Sequence, residues 1–284
     1  MATLRDIRQK ILTAQNIQKI TQAMELVAAS RLRKAQAKAE SSRPYALKIK
    51  EILDRLINAS DELLHHPLIS PREVKKTGLV IVAGDRGLCG GYNQNVFNGA
   101  EKFLQKYSPQ QVELIPVGRK AVDYFRTKKW MISSQLDEWG GKITYQGIEE
   151  FSKILMNFYI GGQLDEIWVI FTQFINVGTR EVRVEKFLNI EAEADTSFKN
   201  GYIYEPDAST LFAEIIPHYC ITKIQAVLNN AYASELAARI ASMRAATKNA
   251  EEMLQKLTLE RNKIRQFGIT RELIEITSGA ESLR

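Results

Sequence analysis

The first glycine of this 284-residue chain is Gly78, and no proline follows Pro217. The last 67 residues hold only two glycines, Gly268 and Gly279, out of 16 in the whole chain. Helix interiors select against both residue types: glycine costs about 1 kcal/mol there and proline about 3 kcal/mol. Both ends therefore read as long helices. The middle, with most of the glycine and proline, must be something else.

The N-terminal helix has a start signal. Thr3 can cap it, and Asp6, three positions on, suits a capping-box first turn. Leu4, Ile7, Ile11, Ala14, Ile17, Ile20, Met24 and Val27 recur at steps of three and four. That spacing predicts one narrow coiled-coil seam. Pro44 is expected to bend or divide the helix. The seam resumes at Leu53, Leu56, Ile57, Leu63 and Leu64, and His65-His66-Pro67 should end it. The C-terminal helix is expected to begin near Pro206, with Asp207 or Ser209 as its cap. Its seam is read through Leu211, Ile215, Tyr219, Val227, Ala231, Ala238, Ala241, Ala245, Leu254, Leu257 and Ile264. Seventy-odd helical residues extend about 100 Å, whereas a globule of this size is only about 40–50 Å across. Such a helix must pair with the other long helix or be sheathed by another protein.

Between them, strand and helix patterns alternate. Residues 78–84, 112–118 and 167–174 read as buried strands, and 182–190 as a fourth at an edge. Residues 92–107, 119–128 and 147–160 are amphipathic. The predicted class is α/β: a long antiparallel two-helix coiled coil from the N- and C-terminal segments, with an inserted Rossmann-like α/β domain. The expected division is 1–66 coiled-coil helix, 67–206 inserted domain and 207–284 coiled-coil helix.

Charge follows the same partition. Residues 1–60 carry 12 Lys/Arg against 5 Asp/Glu, residues 61–217 carry 17 against 21, and residues 218–284 carry 10 against 7. The basic excess belongs to the ends, which suits an acidic partner surface. Arg31, Arg33, Lys34 and Lys38 form a basic stretch, but residues 1–44 contain no aromatic residue for base stacking, so nucleic acid is not expected. With 45% hydrophobic and 25% charged residues, wholesale disorder is excluded. Two distant cysteines, Cys89 and Cys220, do not make a disulfide framework. No run of about 18 apolar residues is present to span a bilayer, and the first residues lack the apolar core of a cleaved leader.

Asp85-Arg-Gly-Leu-Cys-Gly-Gly-Tyr-Asn93 joins a strand to a helix, where a phosphate cradle would lie. Its spacing matches neither common nucleotide motif, and it has no lysine. The ordinary reading is a tight strand–helix turn; the others are nucleotide binding and a docking loop built on Asp85, Arg86 and Asn93. Cys89, at a helix start, could be an acidified thiol. The only histidines are His65, His66 and His218, so neither a Cys–His pair nor a metal site is indicated. No catalytic, cofactor or metal constellation emerges. In the last twenty-one residues, Ile264, Phe267, Ile269, Leu273, Ile274 and Ile276 spread around the helix. Wide apolar coverage implies burial, either against the α/β body or within a partner's ring.

Four segments resemble one family: residues 17–30 (Ile-Gln-Lys-Ile-Thr-Gln-Ala-Met-Glu-Leu-Val-Ala-Ala-Ser), 85–93, 233–249 (Ala-Ser-Glu-Leu-Ala-Ala-Arg-Ile-Ala-Ser-Met-Arg-Ala-Ala-Thr-Lys-Asn) and 269–280 (Ile-Thr-Arg-Glu-Leu-Ile-Glu-Ile-Thr-Ser-Gly-Ala). In this order and spacing they are similar to the γ subunits of bacterial F-type ATP synthases, over essentially the whole chain. The resemblance implies a non-catalytic rotor shaft of the F1 sector. It would carry torque between an ion-driven membrane c-ring and the β subunits of the α3β3 hexamer, beside subunit ε. It also implies a peripheral position on the cytoplasmic face of the cell membrane, held there only through the complex, and no cofactor. Met24 resembles the shaft position where a charged residue uncouples rotation from synthesis. Arg239, Gln266, Thr270 and Glu272 resemble C-terminal helix positions that contact β, and Asp85 and Arg86 join them as expected partner-interface residues. The family usually has Gln-Ala-Ala-Ile-Thr where this chain has Gln266-Phe-Gly-Ile-Thr270, so Gly268 is expected to weaken the helix locally. The chloroplast form's inserted cysteine pair is missing, which implies no dithiol switch. A stalk subunit of the V/A type would lack the α/β insertion. A nucleotide-binding enzyme with helical arms and a nucleic-acid adaptor are the readings from other classes.

Overall fold

The computed structural model describes residues 3–59, 63–70, 72–140, 143–190 and 204–281. Helix α1 runs Leu4–Ala59 and is followed by a 3₁₀ turn at Leu63–His65. Then come β1 (Thr77–Val82), α2 (Tyr92–Leu104), β2 (Val112–Val117), α3 (Arg119–Arg126), β3 (Met131–Ile132), α4 (Tyr145–Ile160), β4 (Glu166–Phe174), β5 (Arg180–Leu188) and α5 (Ala208–Glu281). Contacts divide the chain into two compact units: residues 29–239, and Met1–Ala28 together with Ile240–Arg284.

The first unit holds a five-stranded sheet of order β3-β2-β1-β4-β5. β1 pairs in parallel with β2 and with β4, and β2 with β3, each crossover carrying a helix. β5 returns antiparallel along β4 and ends the sheet, as the alternating pattern at 182–190 predicted. β1 and β2 are buried along their whole length, which explains their continuous apolar runs. One face, with Leu79, Ile81, Leu114 and Ile170, packs against α2 and α3 through Val96, Phe97, Ala121 and Phe125. The other face, with Val80, Val82, Ile115 and Val169, packs in one core with Phe151 and Leu155 of α4. Leu53, Leu56 and Ile57 of α1 and Phe212, Ile216 and Ile224 of α5 join that same core. The unit thus includes stretches of both long helices.

Two expectations about the helices change. Pro44 lies inside α1 and does not divide it. It sits at an exposed position, where water can satisfy the carbonyl that its missing N–H leaves free. α1 stops at Ala59, before Leu63 and His65-His66-Pro67, and Leu63 is buried from the 3₁₀ turn instead. α5 passes through Gly268 unbroken. The start signals hold: the Asp6 N–H donates to Thr3 Oγ1 at 3.2 Å, and the Thr3 N–H to Asp6 Oδ2 at 3.0 Å. Asp207 takes the N–H of Thr210 at 2.8 Å and so caps α5.

In the second unit, α1 and α5 run antiparallel. Thr21 meets Thr247 at 2.7 Å, and Arg244 Nη2 meets Glu25 at 2.9 Å. The buried positions of α1 within this unit are Ile7, Ile11, Ala14, Thr21 and Ala28. The seam thus runs 7-11-14-18-21-25-28, and Ile17, Ile20 and Val27 fall one step off it, exposed. On α5, Met243 and Ala250 are buried while Ala241 and Ala245 face outward. Ile7, Ile11 and Met243 share the contact with small and polar residues such as Ala14, Thr21, Ala28 and Ala250.

Candidate functional site

The loop between β1 and α2 is the tight turn that its glycines suggested, and it grips α5. The Gly84 N–H donates to Asn93 Oδ1 at 2.9 Å, and Asn93 Nδ2 donates to the Arg86 carbonyl at 3.3 Å. At the crest, Leu88 adopts φ +61° and is 66% exposed. Asp85 turns inward, accepting the N–H groups of Arg119 (3.2 Å) and Gly140 (2.7 Å). Its carboxylate therefore sits at the start of α3, where the helix dipole favours negative charge.

The loop meets one face of α5. Tyr92 OH donates to the Ala231 carbonyl at 3.1 Å. Cys89 and Tyr92 pack with Ala238. Arg239 Nη2 donates to the Gly87 carbonyl at 3.2 Å and to Glu235 Oε1 at 2.6 Å. Residues 231, 235, 238 and 239 follow helical spacing, so one stripe receives the whole loop.

Burial sets the electrostatics here. It pushes the Glu235 carboxyl up, and the Arg239 guanidinium offsets this only in part. Burial also pushes the Tyr92 phenol well above its ordinary range, keeping it a donor. Cys89, expected from its place at a helix start to be acidified, is instead raised by burial and by the neighbouring Glu235. Burial lifts Cys220 to about 12. Both thiols are free and buried. A phosphate cradle is not formed: the Glu235 carboxylate crowds Gly84, where an added Cβ would lie 3.1 Å from Oε2. An anion would meet that charge. Among the described residues, no group of three or more His, Cys, Asp or Glu is placed to hold a metal, and no helix is long and apolar enough to cross a membrane.

The expected interface residues fall into two groups. Asp85, Arg86 and Arg239 come together in the sheet-bearing unit, where Arg86 is exposed and Arg239 is turned to its own chain. Met24, Gln266, Thr270 and Glu272 belong to the two-helix unit. Met24 is half-buried; Gln266, Thr270 and Glu272 are exposed, with Thr270 Oγ1 donating to the Gln266 carbonyl at 2.9 Å. Glu235 was missed by sequence reasoning. Its signal is a lone acid in an alanine-rich stretch, with Arg239 one turn later.

The last turns of α5 are exposed. Phe267 is 70% exposed, Ile276 68% and Leu273 57%, and Leu12, Ile20 and Leu26 of α1 are exposed as well. Apolar side chains therefore lie bare on both helices of this unit, the kind of surface that marks an interaction site.

A family model described as ATP synthase matches residues 3–283. The chain is 51% identical over 286 residues to the ATP synthase gamma chain of Protochlamydia amoebophila, and 39% identical over 284 residues to that of Moorella thermoacetica; both alignments cover 100% of each chain. Among solved structures, it is similar to a chain of the Euglena gracilis mitochondrial ATP synthase OSCP/F1/c-ring assembly, with TM-score 0.66, 17% identity and coverage of 99% of this chain and 94% of that one. A chain of the Tetrahymena thermophila mitochondrial ATP synthase central stalk/c-ring gives TM-score 0.60 at 20% identity, covering 80% of this chain and 99% of the other. The structural likeness shows a shared fold, and the full-length match to the family model together with the full-length relatives establishes more: the chain belongs to the γ-subunit family of F-type ATP synthases.

Proposed function

We propose that the chain is the central rotor shaft of the F1 sector, turning inside an α3β3 hexamer and standing on a membrane c-ring beside subunit ε. It performs no bond chemistry; nucleotide sites belong to other chains. It is held at the cytoplasmic face of the cell membrane only through the complex. The observation that carries this reading is the apolar exposure on both helices of the two-helix unit, with Phe267, Leu273 and Ile276 at the end of α5. Apolar contact is non-directional. It can hold an axle at many angles, whereas a ring of hydrogen bonds favours one register. Arg86, Met24, Arg239, Gln266, Thr270 and Glu272 are the positions proposed to deliver or receive force, with Asp85 shaping the loop that carries Arg86.

Co-expression with the α and β subunits tests this. The chain is expected to purify in the hexamer, and removal of residues 269–284 to lower the yield and stability of the complex. Unchanged yield and stability after that removal would count against the bearing role.

A further inference from the structure

Glu235 and Arg239 form an ion pair at 2.6 Å with side chains only 5% and 13% exposed. A buried pair of this kind is a poor way to gain stability, because apolar side chains of similar volume pack there as well or better. An apolar pair cannot, however, direct a donor at a backbone carbonyl. Arg239 does so, reaching Gly87 at 3.2 Å, in the crest of the β1–α2 loop. Arginine has many rotamers, and a single bond at 3.2 Å holds it weakly. Glu235, one turn earlier on α5, accepts from the same Nη2 at 2.6 Å and so anchors the nitrogen that reaches Gly87. Glu235 is itself enclosed, with its carboxylate so near Gly84 that an added Cβ there would lie 3.1 Å from Oε2. The crest needs holding: Arg86, Gly87 and Leu88 are exposed, and Leu88 has a left-handed backbone that non-glycine residues rarely adopt.

We propose that Glu235 is a positioning residue: it fixes the Arg239 guanidinium on the Gly87 carbonyl, so that the β1–α2 loop and α5 move as one piece. Force received at the crest then passes into the long helix without slack. This rests on the rotor reading above.

The test uses the full complex in membrane vesicles and two variants. Glu235→Gln removes the charge and keeps the size. Glu235→Leu with Arg239→Leu restores apolar packing and removes the directed donor. Both are expected to raise hydrogen exchange at residues 86–89 by about tenfold and to reduce protons pumped per ATP, the double variant doing so at unchanged melting temperature. A double variant with wild-type exchange and pumping would overturn the proposal, since the pair would then only fill space. Unaltered exchange in Glu235→Gln would overturn it equally. Should the wild-type chain not assemble with α and β, the rotor reading fails, while the exchange comparison on the free chain still decides whether Glu235 holds the loop.

Discussion

Thr21 Oγ1 and Thr247 Oγ1 lie 2.7 Å apart, across 226 residues of chain. Each hydroxyl also reaches back along its own helix: Thr21 to the Ile17 carbonyl at 3.0 Å, and Thr247 to the Met243 carbonyl at 2.9 Å. One hydroxyl carries one proton, so one threonine donates across the seam while the other donates backward. Thr21→Val and Thr247→Val should each cost about 1 kcal/mol. The double variant should cost less than the sum, because the second change removes a bond already lost. Denaturant unfolding in a double-mutant cycle measures this, and strict additivity would deny the cross-helix bond.

Met24 is half-buried on α1, beside the seam position Glu25. Met24→Lys puts an ammonium where the shaft is proposed to meet β. ATP hydrolysis by the assembled complex should persist while proton pumping per ATP falls by about fivefold, the lower end of a typical site-to-site coupling. Pumping by vesicles at matched hydrolysis rates is the measurement, and normal pumping would remove Met24 from the force path.

Gly118 has φ +94°, and a Cβ there would lie 2.2 Å from the Ala83 carbonyl oxygen. Gly118→Ala should cost about 3 kcal/mol or more, combining backbone strain with a clash against main chain. Gly162 has φ +72°, and a Cβ there would meet nothing within 4 Å. Gly162→Ala should therefore cost only about 1 kcal/mol, from strain alone. Melting temperatures of the two variants separate the clash from the strain.

Asp207 is held down to about 2 by the Ser209 hydroxyl and by the N–H and hydroxyl of Thr210. Its folded-state value lies below the unfolded one, so its contribution is present above the unfolded value of 3.8 and is lost as pH falls from there to about 2. Asp207→Asn should therefore be less stable than the parent at neutral pH, and the difference should shrink through that window. Unfolding curves at a series of acid pH values check the sign.

The elements whose reading held are those where local chemistry decides. Thr3 and Asp6 close their box within one turn, and β1 and β2 are apolar because both faces are covered. The seam was misphased because Ile17, Ile20 and Val27 are apolar yet exposed, while Thr21 is polar yet buried. A single chain cannot reveal which of its apolar stripes meets itself and which is kept for something outside. β3 spans only Met131–Ile132, too short to leave a pattern. Pro44 did not interrupt α1 because an exposed helix face tolerates a missing donor. Glu235 escaped notice because its role depends on Gly84 and Gly87, which only the folded loop brings beside it.

The bare Phe267, Leu273 and Ile276 at the end of α5 carry a cost in the cell. Any copy made in surplus exposes a greasy tip that invites clumping, so supply of this polypeptide has to be matched to whatever receives it, or a chaperone must shield it until then.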